Sequence, residues 1–248
     1  MIFSDTDNSL HFWHVLTRLG EAEILLPIAA LTGITLFAKE KTRRLALSWM
    51  LLIVIAALVT TVSKIAFMGF GLGWAEINFT GISGHAMFAA AIYPILLITF
   101  ISAPLRVSHR LCLALGWCLA ILIGLSRIEV GAHSSSEVLA GLIVGGAASA
   151  IALAMSSETP VVSIKPIVPA VLVVWAAVMP FELHASQTHS LVTRLALTIS
   201  GRAIPFTRGD LLSIGHQHKS RPAFGGSETL PLDPLVKPKG LHSSATDT

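Results

Sequence analysis

The stretch Ser126-Arg127-Ile128-Glu129-Val130-Gly131-Ala132-His133-Ser134-Ser135-Ser136-Glu137 places an arginine, a histidine and a carboxylate within twelve residues, between two long apolar runs. An ionisable group beside a membrane span is a functional-site hypothesis by default. A second polar knot, Ser83-Gly84-His85, opens an earlier apolar run, and Lys64 closes another. Positively charged and imidazole side chains gathered at span ends point to anion chemistry.

Working outward, composition sets the setting. Of 248 residues, 53% are hydrophobic and only 12% are charged. Soluble domains carry about 25% charged residues, so a membrane protein is expected. The formal net charge of +3 is dispersed. No basic stripe with interleaved aromatics occurs, so no nucleic-acid partner is expected. Met1–Gly20 lacks the apolar core of a cleavable signal peptide. Cys112 and Cys118 lie six apart in one apolar run and read as core residues.

The apolar runs predict an all-α integral membrane bundle of about six transmembrane helices: 22–38, 45–62, 85–103, 111–125, 137–155 and 167–181. Residues 1–21 read as an N-terminal interfacial segment, 22–182 as the six-span domain, 183–210 as an amphipathic surface segment and 211–248 as a disordered tail. His11 and His14 in the first segment read as interfacial, not as metal ligands. A Gly- and aromatic-rich loop runs from about Phe67 to Gly84, with no decipherable pattern. The Gly/Ala-rich fifth span suits close helix packing in lipid. Four basic residues follow the first span and two the third, whereas the loops that hold the polar knots are poor in them. Positive residues stay cytoplasmic in short loops, so both knots and Lys64 are expected together on the outer face.

Each candidate has an ordinary alternative. His133 and Glu137, four apart, share a helix face, and a carboxylate on one imidazole nitrogen raises the basicity of the other. The same Glu137 completes Ser134-x-x-Glu137, a capping box, and one carboxylate is not expected to serve both roles fully. Arg127 offers planar donors matched to phosphate, or snorkels to the interface, and the same choice applies to Lys64. Ser83 donates a hydroxyl or acts as an N-cap. Gly84 allows close backbone approach at a helix N-terminus, and His85 is a proton donor or an interfacial hydrogen-bonding group. Two cations beside the histidines argue against a metal.

Ser126-Arg127-x5-His133-x3-Glu137, followed by Val-Leu-Ala-Gly, resembles the third motif of the type 2 phosphatidic acid phosphatase superfamily. Ser83-Gly84-His85 resembles its second motif, Pro-Ser-Gly-His, and Lys64 resembles the lysine of its first, Lys-x6-Arg-Pro. The resemblance spans Lys64 to Gly141 and implies a hydrolase of lipid metabolism without cofactor or metal: a lipid phosphate or diphosphate phosphatase. It implies a membrane-embedded phosphorylated lipid as substrate and a bacterial inner (plasma) membrane location. In its scheme His133 attacks phosphorus to form a phosphohistidine, Glu137 orients His133, and His85 protonates the leaving oxygen. Lys64, Ser83, Gly84 and Arg127 hold the phosphoryl oxygens.

Three departures stand out. Gly71-Leu72 occupy the Arg-Pro position, Ile82 precedes Ser83 in place of proline, and Glu137 replaces aspartate. They leave open a weakened or inactive relative that binds a phosphorylated lipid, and on the family pattern Glu137→Asp is expected to keep or raise activity. A transporter is the minor reading, disfavoured because the charges cluster at span ends.

Overall fold

The computed structural model describes residues 3–102, 105–156 and 187–213. These form seven α-helices: α1 (Phe3–Arg18), α2 (Ala22–Phe37), α3 (Arg43–Phe70), α4 (Gly84–Ile101), α5 (His109–Glu129), α6 (Ser135–Ala154) and α7 (Gln187–Ser200). A further helical turn covers 208–213. The only β pairing among the described residues is one bridge between Trp74 and Phe79. The all-α membrane architecture expected from composition is therefore the observed one.

Five stretches among the described residues are long and apolar enough to cross a membrane: His11–Phe37, Glu40–Phe70, Gly84–Ile101, His109–Glu129 and Ser135–Ala154. They match the first five expected spans to within a few residues, apart from two extensions. The first reaches back through α1, and the second continues past Lys64 to Phe70. Lys64 thus lies inside α3, not at its end. The physical reason is burial: Phe67, Met68 and Gly69 in the added turns are buried, with Phe67 and Met68 packed against Val192 and Ala196 of α7 and against Leu211. The expected sixth span, 167–181, lies outside the described residues.

Helix α4 is the hub, packed against α2, α3, α5 and α6. Its residues Ala86–Ile95 are almost all buried, in keeping with a helix that is apolar all round. Pro94 has no N–H for the carbonyl of Ala90. Ser149 Oγ of α6 donates to that oxygen at 2.9 Å, and Trp49 Nε1 of α3 donates to the next carbonyl, Ala91, at 2.9 Å. Freed backbone groups at membrane depth have to find such partners. The Gly-rich face of α6 does what its composition suggested. A side-chain carbon at Gly141 would sit 2.5 Å from the Ser83 carbonyl, and one at Gly145 would overlap the backbone of Met87.

The outer faces are apolar too. Leu47, Leu51, Val54, Leu58 and Val62 form an exposed stripe along α3, and Leu139 and Ile143 lie exposed on α6. Such helix-long apolar stripes are what lipid-facing surfaces carry. Cys112 is buried as expected, but Cys118 is exposed, which corrects its reading as a core residue. Six residues along a helix turn it well away from Cys112 and toward this outer surface.

Candidate phosphate site

Three chain reversals at one end of the bundle bring the polar knots together. After α5 the chain turns through Gly131, whose φ of +69° suits a residue without a side chain. The N–H groups of Ala132 and His133 both return to the Arg127 carbonyl, at 3.0 and 3.1 Å. Arg127 and His133 are therefore fixed to the same turn. The Ser83 N–H donates to the Glu137 carbonyl at 3.1 Å, which locks the start of α4 to the first turn of α6. From α3, Lys64 reaches the same place: a side-chain carbon at Gly84 would lie 4.0 Å from Lys64 Nζ.

Glu137 is the centre of this arrangement and is fully buried. Its Oε2 pairs with His133 Nδ1 at 2.7 Å and accepts from the Ser134 N–H at 3.1 Å. Its Oε1 accepts from the Thr80 N–H at 2.7 Å and from the Thr80 hydroxyl. Ser134 Oγ in turn accepts from the Glu137 N–H, so the capping box is complete. The sequence reading set the cap against the histidine partner. One oxygen serves both, because an ionised carboxylate has about four lone-pair sites to share. The extra methylene of glutamate is thus accommodated, and the carboxylate reaches the imidazole.

With Nδ1 on the carboxylate, Nε2 is the free ring nitrogen of His133. Burial pushes the His133 pKa below the usual histidine value. The hydrogen bond to Glu137 opposes this, and the charges of Lys64 and Arg127 lower the pKa further.

His133, Lys64 and Arg127 line a cavity of about 460 Å3 together with Thr80, Gly81, Ala132, Phe67, Met68, Thr193 and residues 205–208. Neither Lys64 nor Arg127 has a carboxylate within ion-pair distance among the described residues. Arg127 Nη1 donates to Thr17 Oγ1 of α1 at 3.1 Å, while its Nε is buried without a partner among the described residues. Ser83 is fully buried at the N-cap position, yet its side chain makes no capping bond and its Oγ finds no partner among the described residues. Buried donors in this condition are expensive unless a ligand satisfies them. Lys64, His133 and Arg127 are also the charged neighbours of His85. The seven residues singled out in the sequence therefore lie at the same end of the bundle: Lys64, Arg127 and His133 line the cavity, and Ser83, Gly84, His85 and Glu137 lie behind that lining.

Two contributors were not anticipated. Thr80 holds Glu137 from the loop before α4. Arg208, just after Thr207, donates from Nη2 to Glu137 Oε2 at 2.8 Å and Oε1 at 3.0 Å. A sequence signal for the second existed: Thr207-x-x-Asp210 is itself a capping box. The Thr207 N–H donates to Asp210 Oδ2 at 2.8 Å and the Asp210 N–H to Thr207 Oγ1 at 3.3 Å. It marks the helical turn but not its destination. Leu211 is buried there, at the point where composition suggested that order ends.

A largely buried, carboxylate-bound histidine beside Lys64 and Arg127 is an arrangement suited to binding an anion such as a phosphoryl group. The chain belongs to the PAP2 superfamily: the family model matches residues 67–160, which include both polar knots. The chain is 38% identical over 203 residues, 80% of its length and 97% of the relative's, to an uncharacterized 22.5 kDa protein in the cps region of Klebsiella pneumoniae. It is 29% identical over 141 residues, 52% of its length and 66% of the relative's, to phosphatidylglycerophosphatase B of Bacillus subtilis. Among solved structures, the transmembrane PAP2-type phosphatidylglycerolphosphate phosphatase from Bacillus subtilis superposes with a TM-score of 0.47 at 24% identity, covering 58% of this chain and 75% of that one.

Proposed function

We propose that this protein is a metal-independent phosphatase that hydrolyses a phosphorylated lipid on the outer face of a bacterial plasma membrane. The observation that carries the reading is the 2.7 Å pair of His133 Nδ1 and Glu137 at a cavity faced by Lys64 and Arg127. The carboxylate holds the Nδ1–H tautomer and stabilises the imidazolium charge as Nε2 attacks phosphorus. The P–O bond to the lipid breaks, and His85 delivers a proton to the leaving oxygen. Water then cleaves the P–N bond of the phosphohistidine, giving its proton back to His85. Lys64, Arg127, the Ser83 hydroxyl and the Gly84 N–H at the start of α4 meet the phosphoryl oxygens as charge shifts onto them. Outward orientation rests on the basic residues of the opposite loops, Lys39, Lys41, Arg43 and Arg44 after α2, and Arg106 and Arg110 before and within α5.

The substrate is a lipid mono- or diphosphate. Phosphatidylglycerol phosphate is the first to test, because one relative is named for it, followed by phosphatidic acid, polyprenyl diphosphates and phosphorylated glycolipid anchors. The test is phosphate release by detergent-solubilised protein in the presence of chelator. Release that requires His133 supports the reading. A folded protein that binds these lipids without turnover would favour the binding-only alternative.

A further inference from the structure

The last turn of α3 and the loop after it carry glycines at 69, 71 and 73, and each touches the C-terminal segment. A side-chain carbon at Gly69 would lie 3.1 Å from the Ala196 carbonyl of α7. One at Gly71 would lie 3.1–3.2 Å from the Phe206 ring, and one at Gly73 would lie 2.9 Å from the Phe79 carbonyl, 3.0 Å from Phe67 and 3.1 Å from Leu211. Gly71 also has a φ of +71°, a conformation other residues adopt only with strain. The Phe206 N–H donates to the Met68 carbonyl at 2.9 Å. The alternate glycines are therefore a seat for residues 196–211.

Gly71 is seven residues after Lys64, the position at which the family's first motif has its arginine. A side-chain carbon there would press on the Phe206 ring, which would have to give by a few tenths of an ångström. The segment that fills the space also brings Arg208 to the cavity, beside Lys64, Arg127 and His133. Arg208 is about a third exposed, and Glu137 is already met by His133, Ser134 and Thr80. Its guanidinium is thus not required to satisfy that carboxylate, and three cations, Lys64, Arg127 and Arg208, line one cavity while only Arg208 pairs with Glu137.

We propose that the segment 201–213 completes the phosphate site and that Arg208 supplies its second guanidinium, replacing the first-motif arginine lost at Gly71. In this arrangement Arg208 rests on Glu137, and a bound phosphoryl group gains its donors in addition to those of Arg127. This inference rests on the phosphatase reading above.

Arg208→Ala, Arg208→Gln and Arg208→Lys are compared with wild type for phosphate release and for binding and inhibition by orthovanadate, a phosphoryl mimic. Arg208→Ala and Arg208→Gln should lower kcat/KM by about 10²–10³-fold and weaken vanadate at least about tenfold, with Arg208→Lys between them and wild type. Guanidinium ion should partly restore Arg208→Ala. If Arg208 only positioned Glu137, kcat would fall while vanadate binding stayed unchanged, and the inference would be wrong. His133-dependent release by wild type, with Arg208→Gln within about threefold of it, would overturn the inference and leave the phosphatase reading standing. Should wild type release no phosphate, the phosphatase reading fails. Direct vanadate binding then still decides whether Arg208 belongs to an anion site.

Discussion

Arg208 and Glu137 lie 71 residues apart in the chain, and Arg208 Nη2 donates to both carboxylate oxygens, at 2.8 and 3.0 Å. The pair joins the C-terminal segment to the first turn of α6. It also means that Glu137 receives donors from four residues besides itself: Thr80, His133, Ser134 and Arg208. A carboxylate satisfied so completely is held to within a narrow geometry.

That geometry reverses the expectation for Glu137→Asp. Shortening the side chain retracts the carboxylate by about one C–C bond, roughly 1.5 Å, too far to keep both the His133 and Thr80 bonds. The variant should lose activity by about tenfold or more even though it restores the family's residue. Steady-state phosphate release checks this, and activity at or above wild type would show that the turn before α6 relaxes to follow the shorter side chain.

Ser83→Ala should separate function from stability. The hydroxyl is buried without a partner among the described residues, so its removal leaves no unpaired group behind and should keep or raise the melting temperature. If the hydroxyl donates to a phosphoryl oxygen, kcat/KM should fall by about 10–10²-fold. A fall in both quantities would mean that Ser83 has a structural partner instead.

The pH dependence follows from His133. Burial lowers its pKa below the ordinary 6.5, so the neutral, nucleophilic form persists below that pH. The acidic limb of kcat/KM should therefore fall below the usual histidine range. For stability the sign is the same. Between the lowered folded value and 6.5 the unfolded chain binds more protons, so the stabilisation from a neutral His133 is complete above 6.5 and is lost as pH falls toward the folded value. A pH–rate profile with an acidic limb at or above 6.5 contradicts the burial of this imidazole.

Gly145→Ala tests the packing that brings α4 and α6 together. A side-chain carbon there would overlap the Met87 backbone, and overpacking of this kind costs about 1–3 kcal/mol. Thermal unfolding in detergent should show the loss. An unchanged midpoint would mean that the two helices separate freely.

Much of this was legible in the sequence because the information is local. Ser83-Gly84-His85 and Arg127…His133…Glu137 sit at helix starts and turns, where spacing of a few residues determines which side chains meet. Lys64 was identified but placed at a helix end, because periodicity says little about where a helix stops when its last turns are buried by a distant segment. Arg208 was missed for the same reason: its partner is 71 residues away, and no local pattern encodes docking. The glycines at 69, 71 and 73 looked featureless because a seat is defined by what fills it. Spacing alone leaves Glu137 divided between cap and histidine partner, whereas one carboxylate oxygen accepts both bonds in full.

The central claim is tested most directly by phosphate release from phosphatidylglycerol phosphate and the other lipid mono- and diphosphates, measured with chelator for wild type and His133→Ala. The account predicts chelator-resistant release by wild type and loss of nearly all of it in His133→Ala. Release that persists at the wild-type rate in a folded His133→Ala protein, or that disappears with chelator, would contradict it.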